Sequence, residues 1–355
     1  MLIATARVSD GASDIVGLVL EGVSVIDLST VGPASRCTAA LRDLGATVTK
    51  VLAPEGKQIE PPFFAYGAGR GMTTVRVDLK SDEGRDRFMD LAAESDVLVE
   101  SYRPGVAKRL GIDYESVRKI TERIVYVSIS GYGQGGPYSA WAGHDLNYLA
   151  VGGFLGTQGR RPDGGPAIPG ATIADGAGGG LHAALFDRER TGRGTYLDVS
   201  TTEGVLHLMA LFVDEYLATG RETGPGTSLL TGKYACYDLY ECADGKWISV
   251  GAIEPQFFAN LCRALGREEL APSQMDDARQ DEIRTAFREA FRERPRDEWV
   301  HELAPIDTCV APVLSIAEVS RDEHLNARGA FVDAEHPEHG AFRQVGPVLA
   351  GGKRA

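Results

Sequence analysis

The stretch Gly22–Val51, GVSVIDLSTVGPASRCTAALRDLGATVTKV, decides the fold. Val23–Leu28 is a short apolar run of the kind that forms a buried strand. Cys37, Ala40, Leu41 and Leu44 follow at helical spacing, and Gly45 supplies the residue that helix C-termini favour. Thr47–Leu52 reads as a second strand, so strand, helix and strand fall within about 30 residues, a βαβ unit. The alternation continues outward. Val75–Val77 is a third short strand. Ser81 can cap a helix whose core face is Phe88, Leu91 and Ala92, with Gly84 as a mild propensity loss. Asp96–Glu100 is a strand, Arg103-Pro104-Gly105 opens a short helix through Leu110, and Ile124–Ile129 is a strand closed by Gly131-Tyr132-Gly133. Strands alternating with helices predict an α/β fold with a Rossmann-like parallel sheet.

After about residue 200 the pattern changes. Gly204–Thr219 reads as one long amphipathic helix, within a linker over residues 201–224. Tyr237–Glu241 and Trp247–Val250 flank Ala243-Asp244-Gly245, a hairpin signal. Helical segments follow at Pro255–Leu265 and Gln280–Arg292. We expect a large domain from residues 1–200 and 328–355 and a smaller α+β domain over residues 225–327. Gly329–Val348 could pair with either domain.

The chain of 355 residues is 43% hydrophobic and 25% charged, which is ordinary for a soluble globular protein. A net charge of −13 argues against a general nucleic-acid binder, and an anionic ligand would need a local basic patch. No apolar run approaches the ~18 residues of a membrane span. The five cysteines form no C-x-x-C pair, which speaks against a disulfide framework or a zinc site and makes the cytoplasm the expected compartment. Thr30–Ser35 after the first strand is not G-x-G-x-x-G, which disfavours a nicotinamide cofactor.

Three polar clusters remain: Gly143-His144-Asp145-Leu146-Asn147-Tyr148, Asp175 followed by Gly176–Gly180, and Tyr240-Glu241-Cys242. Singly, each has an ordinary reading: a turn histidine bonded to backbone, a helix N-cap, a solvated hairpin carboxylate. Together, an imidazole and two carboxylates could meet in a cleft and do acid/base work. Spacing alone leaves both readings open.

The ordered segments VDLKSDEGRD, DVLVESYRPGVAKRLGI, ISGYGQGGPYS, RERTGRGTYLDVS, YECADGKWISVGAIEPQFF, DTCVAPVLSIAEV and HLNARGAF, with the opening stretch, resemble the family III CoA-transferases over nearly the whole chain. The G-H-D-x-N-Y pattern and the YECADG and GAIEPQF segments resemble the alpha-methylacyl-CoA racemase branch. That resemblance implies His144 and Asp175 as the two acid/base groups, with Glu241 paired to the histidine. It implies inversion of the 2-methyl centre of a 2-methylacyl-CoA thioester through an enolate, in fatty-acid metabolism. The alternative is CoA transfer between carboxylic acids through an acyl-Asp175 anhydride, and a non-catalytic acyl-CoA-binding protein is the third reading. Coenzyme A is part of the substrate, and no redox or metal cofactor is implied. Lys80, Tyr102, Arg103, Arg109, Gly143, Asp145, Asn147 and Tyr148 are the implied CoA-binding positions. The resemblance also implies a ring-like subunit in an interlocked homodimer, without nucleic-acid or membrane partners. Relatives carry further cations near Ala53 and before the VDLK segment. Here Arg70 is retained, and Lys50, Lys57 and Arg76 are the candidates to compensate.

Overall fold

The computed structural model describes residues 19–29, 32–56, 70–162, 164–169, 181–336 and 340–346. Six parallel strands form the main sheet: β1 (Ser24–Asp27), β2 (Thr47–Leu52), β3 (Thr73–Arg76), β4 (Val97–Glu100), β5 (Val125–Ser130) and β6 (Thr195–Ser200). Their order is β3-β2-β1-β4-β5-β6, the Rossmann order, with its reversal between β1 and β4. Side chains alternate across the sheet. Val25, Val48, Val97, Val99, Val125 and Val127 pack on one face with Leu41 and Leu185. Ile26, Val51, Leu98 and Tyr126 pack on the other with Phe88, Ile112 and Val117. Burial on both faces explains why these strands read as unbroken apolar runs.

The first helix, Pro33–Asp43, starts with proline, whose fixed φ suits that position, and is followed by Gly45 at φ +104°. The next helix, Asp82–Ala93, is capped by Ser81, whose Oγ accepts from Gly84 N at 3.0 Å. Gly84 is there for space. A Cβ at this position would lie 2.0 Å from the Asp78 carbonyl oxygen.

The chain divides into two compact units, one of residues 1–153, 169–210 and 320–355, the other of 154–168 and 211–319. In the second unit β7 (Tyr237–Glu241), β8 (Trp247–Gly251) and β9 (Val310–Pro312) form an antiparallel sheet. Its inner face packs Tyr240, Ile248, Val250 and Val310 against Phe258, Phe287, Phe291 and Trp299. The buried Arg296 guanidinium joins Glu318 at 2.8 Å and donates to the Val313 carbonyl at 2.7 Å. The last hairpin, β10 (Phe331–His336) and β11 (Gly340–Val345), belongs to the first unit, where Arg70 Nη1 donates to the Val345 carbonyl at 2.8 Å.

Two readings need correction. The third strand runs over Thr73–Arg76 and not Val75–Val77. Gly204–Thr219 is not one helix: helices Thr201–Leu208 and Ala210–Thr219 meet at Met209, whose φ −92° and ψ 3° leave the helical region. No glycine or proline marks that break.

A buried polar knot closes the end of β1. Asp27 Oδ1 accepts from Ser29 N at 2.7 Å and Ser29 Oγ at 2.5 Å, and Oδ2 accepts from Thr38 Oγ1 at 2.7 Å and Lys50 Nζ at 2.8 Å. The Lys50 and Asp27 side chains are 6% and 0% exposed. Removing one partner of a buried pair strands the other charge, so Lys50→Met should lower the unfolding free energy by ~3–5 kcal/mol. Lys80→Met, at an exposed position, should change it by no more than about 0.5 kcal/mol. Urea unfolding of the two variants checks the contrast; equal effects would show that the knot contributes nothing special.

Candidate active site

Ligands of open parallel sheets bind beyond the carboxyl ends of the strands. Every implied site residue of the first unit that the structure describes follows such an end. β5 finishes at Ser130 and runs into Gly131-Tyr132-Gly133, with Gly133 at φ +82°. Two neighbours fix this turn. Asp198 on β6 accepts from Gln134 N with both oxygens at 3.0 Å, and the Gly131 carbonyl accepts from Thr202 N at 3.0 Å and Thr202 Oγ1 at 2.8 Å.

His144 is the N-cap of the helix Asp145–Val151 and is exposed. Its backbone N donates to Asn147 Oδ1 at 3.0 Å, and its carbonyl accepts from Asn147 N at 2.8 Å. The Tyr148 hydroxyl donates to the Gly143 carbonyl at 2.6 Å. The Tyr148 ring crosses directly over the turn: a Cβ on Gly131 would stand 2.3 Å from it, and one on Gly143 2.7 Å. The two glycines are therefore small so that the tyrosine can reach. Gly143, Asn147 and Tyr148, implied as CoA contacts, are occupied in bracing the backbone on both sides of His144. Asp145 is half-buried in the first turn of the same helix. Tyr138 and Trp141 stack at 3.9 Å just upstream and are 41% and 52% exposed.

Asp175 and the glycines after it lie outside the described residues. Glu241 ends β7 in the second unit, and its Oε2 accepts from Arg292 Nη2 at 2.8 Å. Within its own unit the carboxylate is thus paired with a guanidinium. A cavity of about 430 Å³ opens on the same sheet, beside Tyr237, Leu239, Ser249 and Cys309.

The implied CoA positions divide by burial. Lys80, Arg103 and Arg109 are exposed. Tyr102 is half-buried against the core, and burial pushes its hydroxyl up to about 12, with the Glu100 and Asp27 carboxylates adding to the shift. Gly105 and Gly111, at φ +80° and +71°, bound the short helix Val106–Leu110 that carries Arg109. Arg70 and two of the candidates to compensate, Lys50 and Arg76, have partners within the chain. Lys50 is buried on Asp27, Arg70 pairs with Asp43 at 3.2 Å, and Arg76 Nη1 donates to the Ala53 carbonyl at 2.9 Å. Lys57 lies outside the described residues.

Sequence reasoning missed Asp27, Glu100 and Asp198, the carboxylates that hold these loops. The available signal was an acidic residue closing an apolar strand, as in VSVID and VLVE. Among the described residues, no group of three or more His, Cys, Asp or Glu side chains is placed to hold a metal ion, and no helix is long and apolar enough to cross a membrane.

The chain is similar to known proteins along most of its length. Alpha-methylacyl-CoA racemase of Homo sapiens is 35% identical over 328 residues, covering 90% of this chain and 84% of its own. Acetyl-CoA:oxalate CoA-transferase of Acetobacter aceti is 30% identical over 337 residues, covering 88% and 85%. The crystal structure of a CAIB/BAIF family protein from Brucella suis superposes with a TM-score of 0.74 at 28% identity, covering 94% of this chain and 97% of its own. The sequence profile of CoA-transferase family III matches residues 20–354, and the chain belongs to that family.

Proposed function

We propose that the protein is an acyl-CoA racemase that inverts the 2-methyl centre of a 2-methylacyl-CoA thioester by 1,1-proton transfer. One observation carries this reading: an exposed imidazole on a helix start braced by two hydrogen bonds, in a chain more similar to the racemase than to the transferase. Transfer chemistry through an aspartyl anhydride needs no such base. Racemisation needs two acid/base groups on opposite faces of a planar enolate. His144 takes the Cα proton from one face while protonated Asp175 returns one to the other, and the reverse direction exchanges their roles. Backbone N–H groups near Asp175–Gly178 are the implied donors to the thioester oxygen, where charge develops. Glu241 orients the imidazole and stabilises its cation. Its ion pair with Arg292 is solvent-exposed and worth only ~0–1 kcal/mol, so exchanging that partner costs little.

Lys80, Tyr102, Arg103 and Arg109 grip the CoA nucleotide, and Asp145 is a further CoA-binding position. CoA enters as part of the substrate. The protein works in the cytoplasm, in fatty-acid metabolism, as a homodimer of the interlocked kind. Support for a second copy comes from the helix Ala210–Thr219, which buries no residue, and from Leu208, Leu211 and Leu217, exposed at 59%, 61% and 75%.

Incubation in D₂O with (2R)-2-methylacyl-CoA should remove the α-proton NMR signal and yield the epimer. His144→Ala and Asp175→Ala should each slow epimerisation at least ~10²-fold. No exchange in the wild type, with a new thioester on adding a free carboxylic acid, would establish CoA transfer instead. Tyr148→Phe deletes the bond to the Gly143 carbonyl and should lower kcat about tenfold with KM little changed. An unchanged kcat would remove Tyr148 from the positioning of His144. Sedimentation over a dilution series should give a dimer at every active concentration; an active monomer would refute a site completed by Glu241 of a second copy.

A further inference from the structure

Glu100 closes β4 and is 2% exposed, yet it makes no ion pair among the described residues. Its carboxylate is held by hydrogen bonds instead. Ser128 Oγ, on the neighbouring β5, donates to Oε1. The Tyr102 backbone N donates to Oε2 at 2.6 Å. Burial, with Asp198 on β6 nearby, favours its protonated form, opposed by the two donors. A carboxylate in this setting is costly to bury unless its oxygens are hydrogen-bonded. What it holds is the first residue of the turn Tyr102-Arg103-Pro104-Gly105, which leads into the helix bearing Arg109.

We infer that Glu100 is a positioning residue for nucleotide recognition, fixing the Tyr102–Arg109 turn so that its arginines meet the phosphates of the CoA moiety. The inference rests on the reading of the protein as an acyl-CoA enzyme. The hydrogen bonds of Glu100 run to Ser128 and to the start of the turn, and among the described residues none runs to His144. Its contribution therefore belongs to the nucleotide half of the substrate and not to the thioester half.

The test compares two substrates that share the reacting thioester, a 2-methylacyl-CoA and the matching 2-methylacyl-pantetheine, which lacks the nucleotide. Glu100→Ala should lower kcat/KM for the CoA thioester about tenfold or more, because the buried acceptor that holds the turn is lost. The pantetheine thioester should react within about twofold of the wild-type rate. Glu100→Gln keeps an acceptor for Tyr102 N and should recover most of the CoA preference. Ser128→Ala, which leaves Tyr102 N and Oε2 in place, should fall between the two and serves if Glu100→Ala does not fold. Equal losses on both substrates, or no loss on either, would overturn the positioning role. A wild-type protein that exchanges the α-proton of neither substrate would overturn the racemase reading, and the inference with it.

Discussion

The loops on the working edge of the sheet hang from acidic residues at the strand ends. A parallel strand that stops leaves the next backbone N–H groups without ladder partners, and a buried N–H needs one. Asp27 supplies it to Ser29 N after β1 and Glu100 to Tyr102 N after β4, and at an exposed position Asp78 accepts from Lys80 N after β3. Each acceptor serves the residue two positions on, and for the two aspartates this is the local pattern by which a short acidic side chain mimics a turn of backbone. Asp198 does the same work across strands, from β6 to Gln134 N. The segments that carry the nucleotide-binding and acid/base candidates thus take their starting geometry from the sheet.

This device has an electrostatic consequence. Carboxylates accumulate along the edge where an anionic CoA would approach, on a chain that is already strongly acidic. The structure answers with burial and internal pairing. Asp27 is neutralised by Lys50, with two hydroxyls and a backbone N–H completing its shell. Glu100 is enclosed and bonded to Ser128 and Tyr102. Lys80, Arg103 and Arg109 stay outside, where a phosphate can reach them. Lys50 looks like a surface cation in the alternating stretch TVTKVL. Its role follows from register, because β1 pairs with β2 so that Asp27 stands opposite Lys50.

Features set by periodicity and local chemistry were legible in the sequence. The parallel sheet, the Ser81 cap, the Gly45 stop and the D-G hairpin each depend on residues within one turn or one strand of each other. Features set by close approach between distant segments were not. Gly84 reads as a poor helix residue until the Asp78 carbonyl appears 2.0 Å from its missing Cβ. Gly143, Asn147 and Tyr148 were recognisable as a motif, but their division of labour was not. Only the crossing of the tyrosine ring over Gly131, with the bonds to the Gly143 carbonyl and from His144 N, shows that all three serve the backbone beside His144. The break at Met209 leaves no local mark at all.

The same geometry bears on how binding energy can be used in the proposed reaction. The nucleotide turn begins at the end of β4 and the histidine segment at the end of β5, and those strands are hydrogen-bonded neighbours in register from Val97–Val125 to Glu100–Ser128. Neighbouring strands sit ~4.8 Å apart and do not slide, because a one-residue slip would exchange the side chains packed into the two different cores on the two faces of the sheet. Ser128 and Glu100 add a side-chain bond across that pair at its working end. The paired strand ends thus give a common base to the turn proposed to meet the nucleotide and to the segment that leads to His144. Interactions made with the unreactive nucleotide can in this way fix the position of the reacting carbon, which is how remote binding energy is converted into rate.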